Sequence, residues 1–234
     1  MVITDGKRFV PLAPAKDYKK ALDGDEGPNT GGMGAHSPAV VLSGETAAEI
    51  VKTVIVPTIH GMAAEGRPYS GCLYAGLILT PKGPKVLEFN CRFGDPETQV
   101  QMLRLEDDLA ELLLKVVRGN LGDTKLSWKK EAAACVVLAV EGYPDEHAKG
   151  QEVAIDPIAD EAVVLFHAGT AKRAGKIVNV AGRVIDVCAH APTLGDALHK
   201  AYEAVPKIRF EGARCRRDIG YRALEQKKQA VTAP

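Results

Sequence analysis

The sequence has no surplus of charge: 30 Lys and Arg stand against 30 Asp and Glu in 234 residues. Without a surplus of either sign there is no global electrostatic case for a nucleic acid or a membrane surface as partner. No apolar run approaches the ~20 residues of a membrane-spanning helix, and no leader with a charged start and an apolar middle is present. No CxxC pair appears. The five cysteines, at 72, 91, 135, 188 and 215, are scattered and odd in number, and the first four lie in apolar or strand-like runs. Buried free thiols in a reducing cytosol fit this pattern better than disulfides or zinc. The six histidines (36, 60, 147, 167, 190, 199) never fall at the spacing of a helical metal pair. No serine sits in a G-x-S-x-G elbow, and no cysteine has an obvious histidine partner in sequence, which disfavours a covalent nucleophile. One local basic cluster remains, Lys207, Arg209, Arg214, Arg216, Arg217 and Arg222, and its expected meaning is solvated charge.

What is present is an ordinary globular composition, 46% hydrophobic and 26% charged, enough for one large domain or two modest ones. The chain opens in a hairpin pattern, Val2 to Leu12, with Asp5-Gly6 as a two-residue turn. Ser43 to Gly66 reads as a helix capped by Ser43 and kinked or split at Pro57, burying Ile50, Val54 and Met62. Two strands joined at Pro81-Lys82 span Tyr69 to Phe93, the first of them well buried. A helical region broken near Leu105 runs to Arg118, with a stripe of Leu109, Leu112, Leu113, Val116 and Val117. Gly119 to Lys130 is turn-rich and reads as a boundary. Short strands follow at 133–140, 163–167, 176–180 and 182–190. A helix near 194–205 capped by Thr193, a strand near Ile208, a basic segment and a frayed Lys/Gln/Ala tail close the chain. This second part reads as a small antiparallel sheet with a helix on one face.

The most informative stretch is Val86 to Glu97. Leu87, Phe89, Cys91 and Phe93 alternate with Glu88, Asn90 and Arg92, so a strand here would line up a carboxylate, an amide and a guanidinium. Their spacing would be about 6–7 Å, two residues of strand rise. Oxygen ligands of this kind suit Mg²⁺, and a neighbouring Arg suits phosphate. A solvated strand face is the competing reading. Asp95-Pro96-Glu97 has the composition of a helix start. The glycine-rich run Gly31-Gly32-Met33-Gly34 can wrap an anion or can simply be a flexible turn. Together these features point to phosphate chemistry. An ionised carboxylate can attack a phosphoryl group without a general base, giving an acyl phosphate open to an amine.

Three segments resemble the phosphoribosylamine–glycine ligase (glycinamide ribonucleotide synthetase) family of the ATP-grasp superfamily. They are Gly27-Pro28-Asn29-Thr30-Gly31-Gly32-Met33-Gly34-Ala35, Leu73-Tyr74-Ala75-Gly76 and Leu87 to Glu97. Phe166-His167-Ala168-Gly169-Thr170, Gly182-Arg183-Val184 and Arg217-Asp218-Ile219-Gly220-Tyr221 resemble its C-terminal domain. The resemblance implies an α+β chain: the second half of an ATP-grasp module (1–125), then a small antiparallel-sheet domain (126–234). It implies ATP-dependent ligation of glycine to 5-phosphoribosylamine through glycyl phosphate, with Mg²⁺ or Mn²⁺, in the cytoplasm. Glu88 and Asn90 would hold the metal, and Arg92 would act catalytically on the transferring phosphoryl group. Asp95, Glu97, Asn29, Thr30, Gly31, Gly32, Asp17 and Lys19 would contact substrate. The family's Gln-Asp-His-Lys is here Lys16-Asp17-Tyr18-Lys19, so no role of that His carries over. Family members carry an N-terminal domain and half a module before the point where this chain begins. The chain is therefore expected to be a C-terminal portion, weakly active or inactive alone, and monomeric when complete. Two rivals stand beside this expectation: another ATP-grasp ligase, and a non-catalytic half that docks a separate N-terminal half through an exposed edge near Val2–Leu12.

Overall fold

The computed structural model describes residues 1–39 and 42–225. They pack as two compact units, each assembled from separated stretches of chain. The first takes Met1–Pro14, Leu105–Lys129 and Val40–Gly94, the last of these described from residue 42. The second takes Ala15–Ala39, Asp95–Arg104 and Lys130–Pro234, described as far as residue 225. The tail expected at the C-terminus lies outside the described residues.

The first unit is an antiparallel sheet in the order Phe9–Pro11, Val2–Thr4, Gly71–Thr80, Gly83–Asn90. Alternation along its strands sends Val2 and Leu73 to one face, where Ile50, Val54, Ile55 and Ile59 cover them. Ile3, Val10 and Cys72 pack on the other face with Leu112, Val116 and Leu121. Ser43 caps its helix, accepting from the Thr46 N–H. The helix runs Gly44–Ile50, widens to a π turn over Val51–Ile55, and continues Val56–Ala64. The widening comes just before Pro57, whose nitrogen has no hydrogen to give the preceding turn. That extra residue rotates the inner face, so Ile55 and Ile59 are buried while Met62 is only half-buried.

Several expectations change here. The first hairpin turns through four residues, Asp5–Arg8, because the Asp5 carboxylate accepts from the Lys7 and Arg8 N–H groups and stabilises the longer turn. Of the Gly71–Thr80 strand only Cys72 and Leu73 are buried; Ile78 and Leu79 reach solvent. The following strand stops at Asn90, and its register slips at Leu87, which is 68% exposed. Such a bulge leaves one residue without a partner, so the apolar side of Val86–Phe89 is exposed instead of facing a core. Val2, Ile3, Val10 and Leu12 are buried, so the exposed apolar surface is on this second hairpin and not near Val2–Leu12. Val117, at 83% exposed, falls outside the stripe that Leu112 and Val116 bury.

The second unit is a sheet in the order Val163–His167, Arg183–Ala191, Ala132–Val140, Gly34–Ser37, Lys16–Asp17. Val136, Leu138, Ile185, Val187 and Ala189 face the helix Leu194–Ala204 through Ala201 and Ala204. Ala35, Cys135, Val137 and Cys188 face Val100 of the helix Glu97–Met102. Val136, Val137, Ile185 and Val187 are wholly buried, each worth about 1.5–3 kcal/mol of transfer free energy. Thr193 caps the long helix as expected, accepting from the Asp196 N–H. The central strand Ala132–Val140 is covered on both sides, which is why it reads as an unbroken apolar run. The unexpected member is Gly34–Ser37, buried throughout, which carries the glycine-rich run into this sheet. No helix among the described residues is long and apolar enough to cross a membrane.

Candidate functional site

The first unit holds Glu88, Asn90 and Arg92. Glu88 and Asn90 are two apart on one strand, and the Asn90 amide donates to Glu88 Oε1 at 3.1 Å. Either end of that amide can face the carboxylate after a half-turn, so the pair can present two oxygens to a cation. Gly76 lies opposite Glu88, and a Cβ there would come within 3.0 Å of Glu88 Cγ. The glycine therefore clears room for the carboxylate. Arg92 follows the strand's end, is exposed, and donates to the Phe93 carbonyl at 2.9 Å. Among the described residues no three His, Cys, Asp or Glu side chains are placed to hold a metal together. A carboxylate and one amide on an exposed strand fit a hard divalent ion that completes its shell with water and phosphate, as Mg²⁺ and Mn²⁺ do.

The second unit gathers the other candidates differently. The Asp17 side chain, 8% exposed, lies beside Glu97 and pairs with Lys19 at 2.7 Å. Burial first, then the charge of Glu97, pushes its carboxyl up to about 7 against the pull of Lys19. Glu97, only 3% exposed, opens the Glu97–Met102 helix. Thr30 Oγ1 donates to the Lys19 carbonyl at 2.8 Å and accepts from the Gly32 N–H at 3.0 Å, which shapes the glycine-rich turn. The Gly31 N–H donates to Tyr143 Oη at 3.0 Å. Asn29 lies exposed at the end of the short strand Glu26–Asn29.

Asp95 does not cap the helix that follows it. Pro96 occupies the cap position and makes no side-chain bond there. Asp95 Oδ1 accepts from Gln99 Nε2 at 2.9 Å, and its Oδ2 accepts from Arg183 at 3.0 Å. Gln99 on the following helix and the distant Arg183 hold the carboxylate that a free helix start would have used. The same Gln99 amide gives its other hydrogen to Asp186 Oδ2 at 2.7 Å. Asp186 is wholly buried on the Arg183–Ala191 strand, and its Oδ1 has no partner. Burial, then the charge of Asp95, pushes its carboxyl up to about 7. Arg183, Gln99 and Asp186 had no role in the sequence reading. Two of them carried a signal: Asp186 is a lone acid in an apolar strand, and Arg183 belongs to Gly182-Arg183-Val184.

Two other readings are settled by packing. Tyr18, where the family pattern has His, is buried with Ala134, Leu198 and Ile219, and the Arg216 guanidinium lies 5.3 Å from its ring centre. Arg216 is not solvated charge. It is 1% exposed and bonds Asp25 at 2.9 Å and Asp218 at 2.7 Å. Arg209 and Arg214 do lie at the surface, paired with Asp156 and Glu141.

Residues 1–98 match the family model described as phosphoribosylglycinamide synthetase, ATP-grasp (A) domain, and residues 133–222 match that of the same synthetase's C domain. The chain belongs to the phosphoribosylglycinamide synthetase family. A phosphoribosylamine–glycine ligase of Caulobacter vibrioides is 50% identical over 228 residues, covering 96% of this chain and 53% of that protein. One from Rhodopirellula baltica is also 50% identical, with 96% and 52% covered. The chain thus spans about half the length of these curated relatives. The crystal structure of the Thermotoga maritima phosphoribosylamine–glycine ligase superposes with a TM-score of 0.83 at 37% identity, covering 93% of this chain and 54% of that one. Biotin carboxylase from Campylobacter jejuni, at 15% identity and a TM-score of 0.65, covers 92% of this chain and 46% of its own and shares the fold.

Proposed function

We propose that this chain forms part of a synthetase that joins glycine to 5-phosphoribosylamine at the expense of ATP. Glycine's carboxylate would take the γ-phosphoryl group, and the amine of phosphoribosylamine would displace phosphate from the glycyl phosphate. The observation that carries the reading is the adjacent Glu88–Asn90 pair on an exposed strand inside the stretch that matches the family's ATP-grasp domain. In it, Glu88 and Asn90 hold the divalent ion, Mg²⁺ or Mn²⁺. The ion, when bound, neutralises phosphate charge. Arg92 steadies the phosphoryl group in transfer. Asp17, Lys19, Asn29, Thr30, Gly31, Gly32, Asp95 and Glu97 contact glycine or phosphoribosylamine. Residues 1–125 act as the ATP-grasp portion and 126–234 as the C domain. The complete enzyme is a cytoplasmic monomer with no nucleic-acid or membrane partner.

ADP release by the complete enzyme tests this reading. Release that requires both glycine and phosphoribosylamine supports it; release driven by a different carboxylate or amine sinks it. The chain by itself is expected to turn over slowly or not at all. A second reading, association with a separately made remainder of the enzyme, is favoured by the exposed Ile78, Leu79, Val86, Leu87 and Phe89. Rescue of activity by adding that remainder would establish it.

A further inference from the structure

Arg183 makes an unusual set of bonds. Its Nη2 donates to Asp95 Oδ2 at 3.0 Å, as an ion pair would. Its Nη1 donates to two backbone carbonyls, Asp95 at 2.8 Å and Gly32 at 3.3 Å. A guanidinium present only to balance a carboxylate would turn both nitrogens to it in a fork. This one divides its donors between a side chain and the main chains of two segments distant in sequence, and so fixes where both run. Tyr143 holds the same turn from another direction, accepting from the Gly31 N–H at 3.0 Å. Gly182, just before Arg183, lets that ring lie on the strand: a Cβ there would stand 2.1 Å from Tyr143 Cδ2. Gly182 and Arg183 therefore serve one arrangement, which accounts for a motif that the chemistry so far has left unused.

We propose that Arg183, with Tyr143, is a positioning residue: it sets the Gly31-Gly32 turn and Asp95 in the geometry in which they receive substrate. The proposal rests on the reading above, in which those residues contact glycine or phosphoribosylamine. Lysine cannot replace the arginine, because one ammonium point cannot reach the carboxylate and both carbonyls in the fixed geometry of the fork.

The test uses R183K and Y143F in the complete enzyme. Steady-state kinetics give KM for each substrate, and amide hydrogen exchange is followed at residues 30–33 and across the strand 132–140. R183K should raise KM for glycine or phosphoribosylamine by about 10- to 100-fold, the scale of a misplaced contact, with KM for ATP unchanged. Y143F removes one neutral hydrogen bond and should raise the same KM by about two- to tenfold. In both, exchange at 30–33 should quicken while the central strand stays protected. Faster exchange with every KM unchanged reduces the arrangement to a structural one and overturns the proposal. Unchanged exchange overturns it as well. If R183K loses protection throughout the sheet, Y143F decides by the same criteria. An unmodified enzyme that releases no ADP with glycine and phosphoribosylamine defeats the functional reading separately, and the exchange measurements then judge the clamp.

Discussion

Glu88 and Asp186 are both carboxylates on strands that accept a hydrogen bond from an amide side chain. Asn90 donates to Glu88 at 3.1 Å, and Gln99 donates to Asp186 at 2.7 Å. Their surroundings differ. Glu88 lies on an exposed strand with space cleared by Gly76, whereas Asp186 is wholly buried and shares its amide with Asp95. Desolvation and a second carboxylate favour the protonated form of Asp186, holding its carboxyl near 7. The pairing is the same, yet water access leaves one carboxylate open to solvent, as the proposed cation ligand must be, and makes the other an internal hydrogen-bonding group.

Removing the exposed charge should break the comparison most sharply. Glu88→Gln in the complete enzyme should cut metal-dependent turnover by about a hundredfold or more while leaving stability within about 0.5 kcal/mol. A mutant with the wild-type rate and metal dependence would mean the ligand assignment is wrong. The buried side offers a counterpart in Arg216. Arg216→Met leaves Asp25 and Asp218 without their buried partner, and urea unfolding should show a loss of about 3–5 kcal/mol. A loss under 1 kcal/mol, the value of an exposed pair, would show that the site is wetter than described.

The pH dependence separates the two kinds of carboxylate directly. Asp17 and Asp186 titrate near 7 folded and near 3.8 unfolded. Between those values the folded state binds more protons, so their contribution is complete below about pH 4 and is lost as pH rises through 7. Asp186→Asn removes one of the two groups. It should flatten that decline and gain about 1–3 kcal/mol on wild type between pH 5 and pH 8. Parallel stability curves for the two proteins would refute the burial argument. The smallest effect is expected at Gly76. Gly76→Ala presses a methyl on Glu88 and should raise the Mg²⁺ needed for half-maximal turnover about two- to tenfold, about 1 kcal/mol.

Much of the local structure was legible. Ser43 and Thr193 announced their helices, Pro57 marked the disturbed turn, and the long apolar runs became central strands. Alternation put Leu87, Phe89 and Cys91 on one side of a strand, and the structure shows that apolar side exposed. Alternation reports which residues share a side and says nothing about what covers that side. At Asp95-Pro96-Glu97 the composition suits a helix start, but Arg183, 88 positions later, claims the carboxylate.

Periodicity, capping residues and the Glu88–Asn90 spacing needed only neighbours in the chain, because backbone geometry sets which side chains point together over a few residues. The strand Gly34–Ser37 in the second sheet, the covering of the Asp17 and Asp186 carboxylates, and Arg183 against Asp95 and Gly32 needed partners a hundred or so positions away. No local pattern encodes desolvation. A carboxylate's charge and an arginine's partners are decided only when distant segments close around them and exclude water.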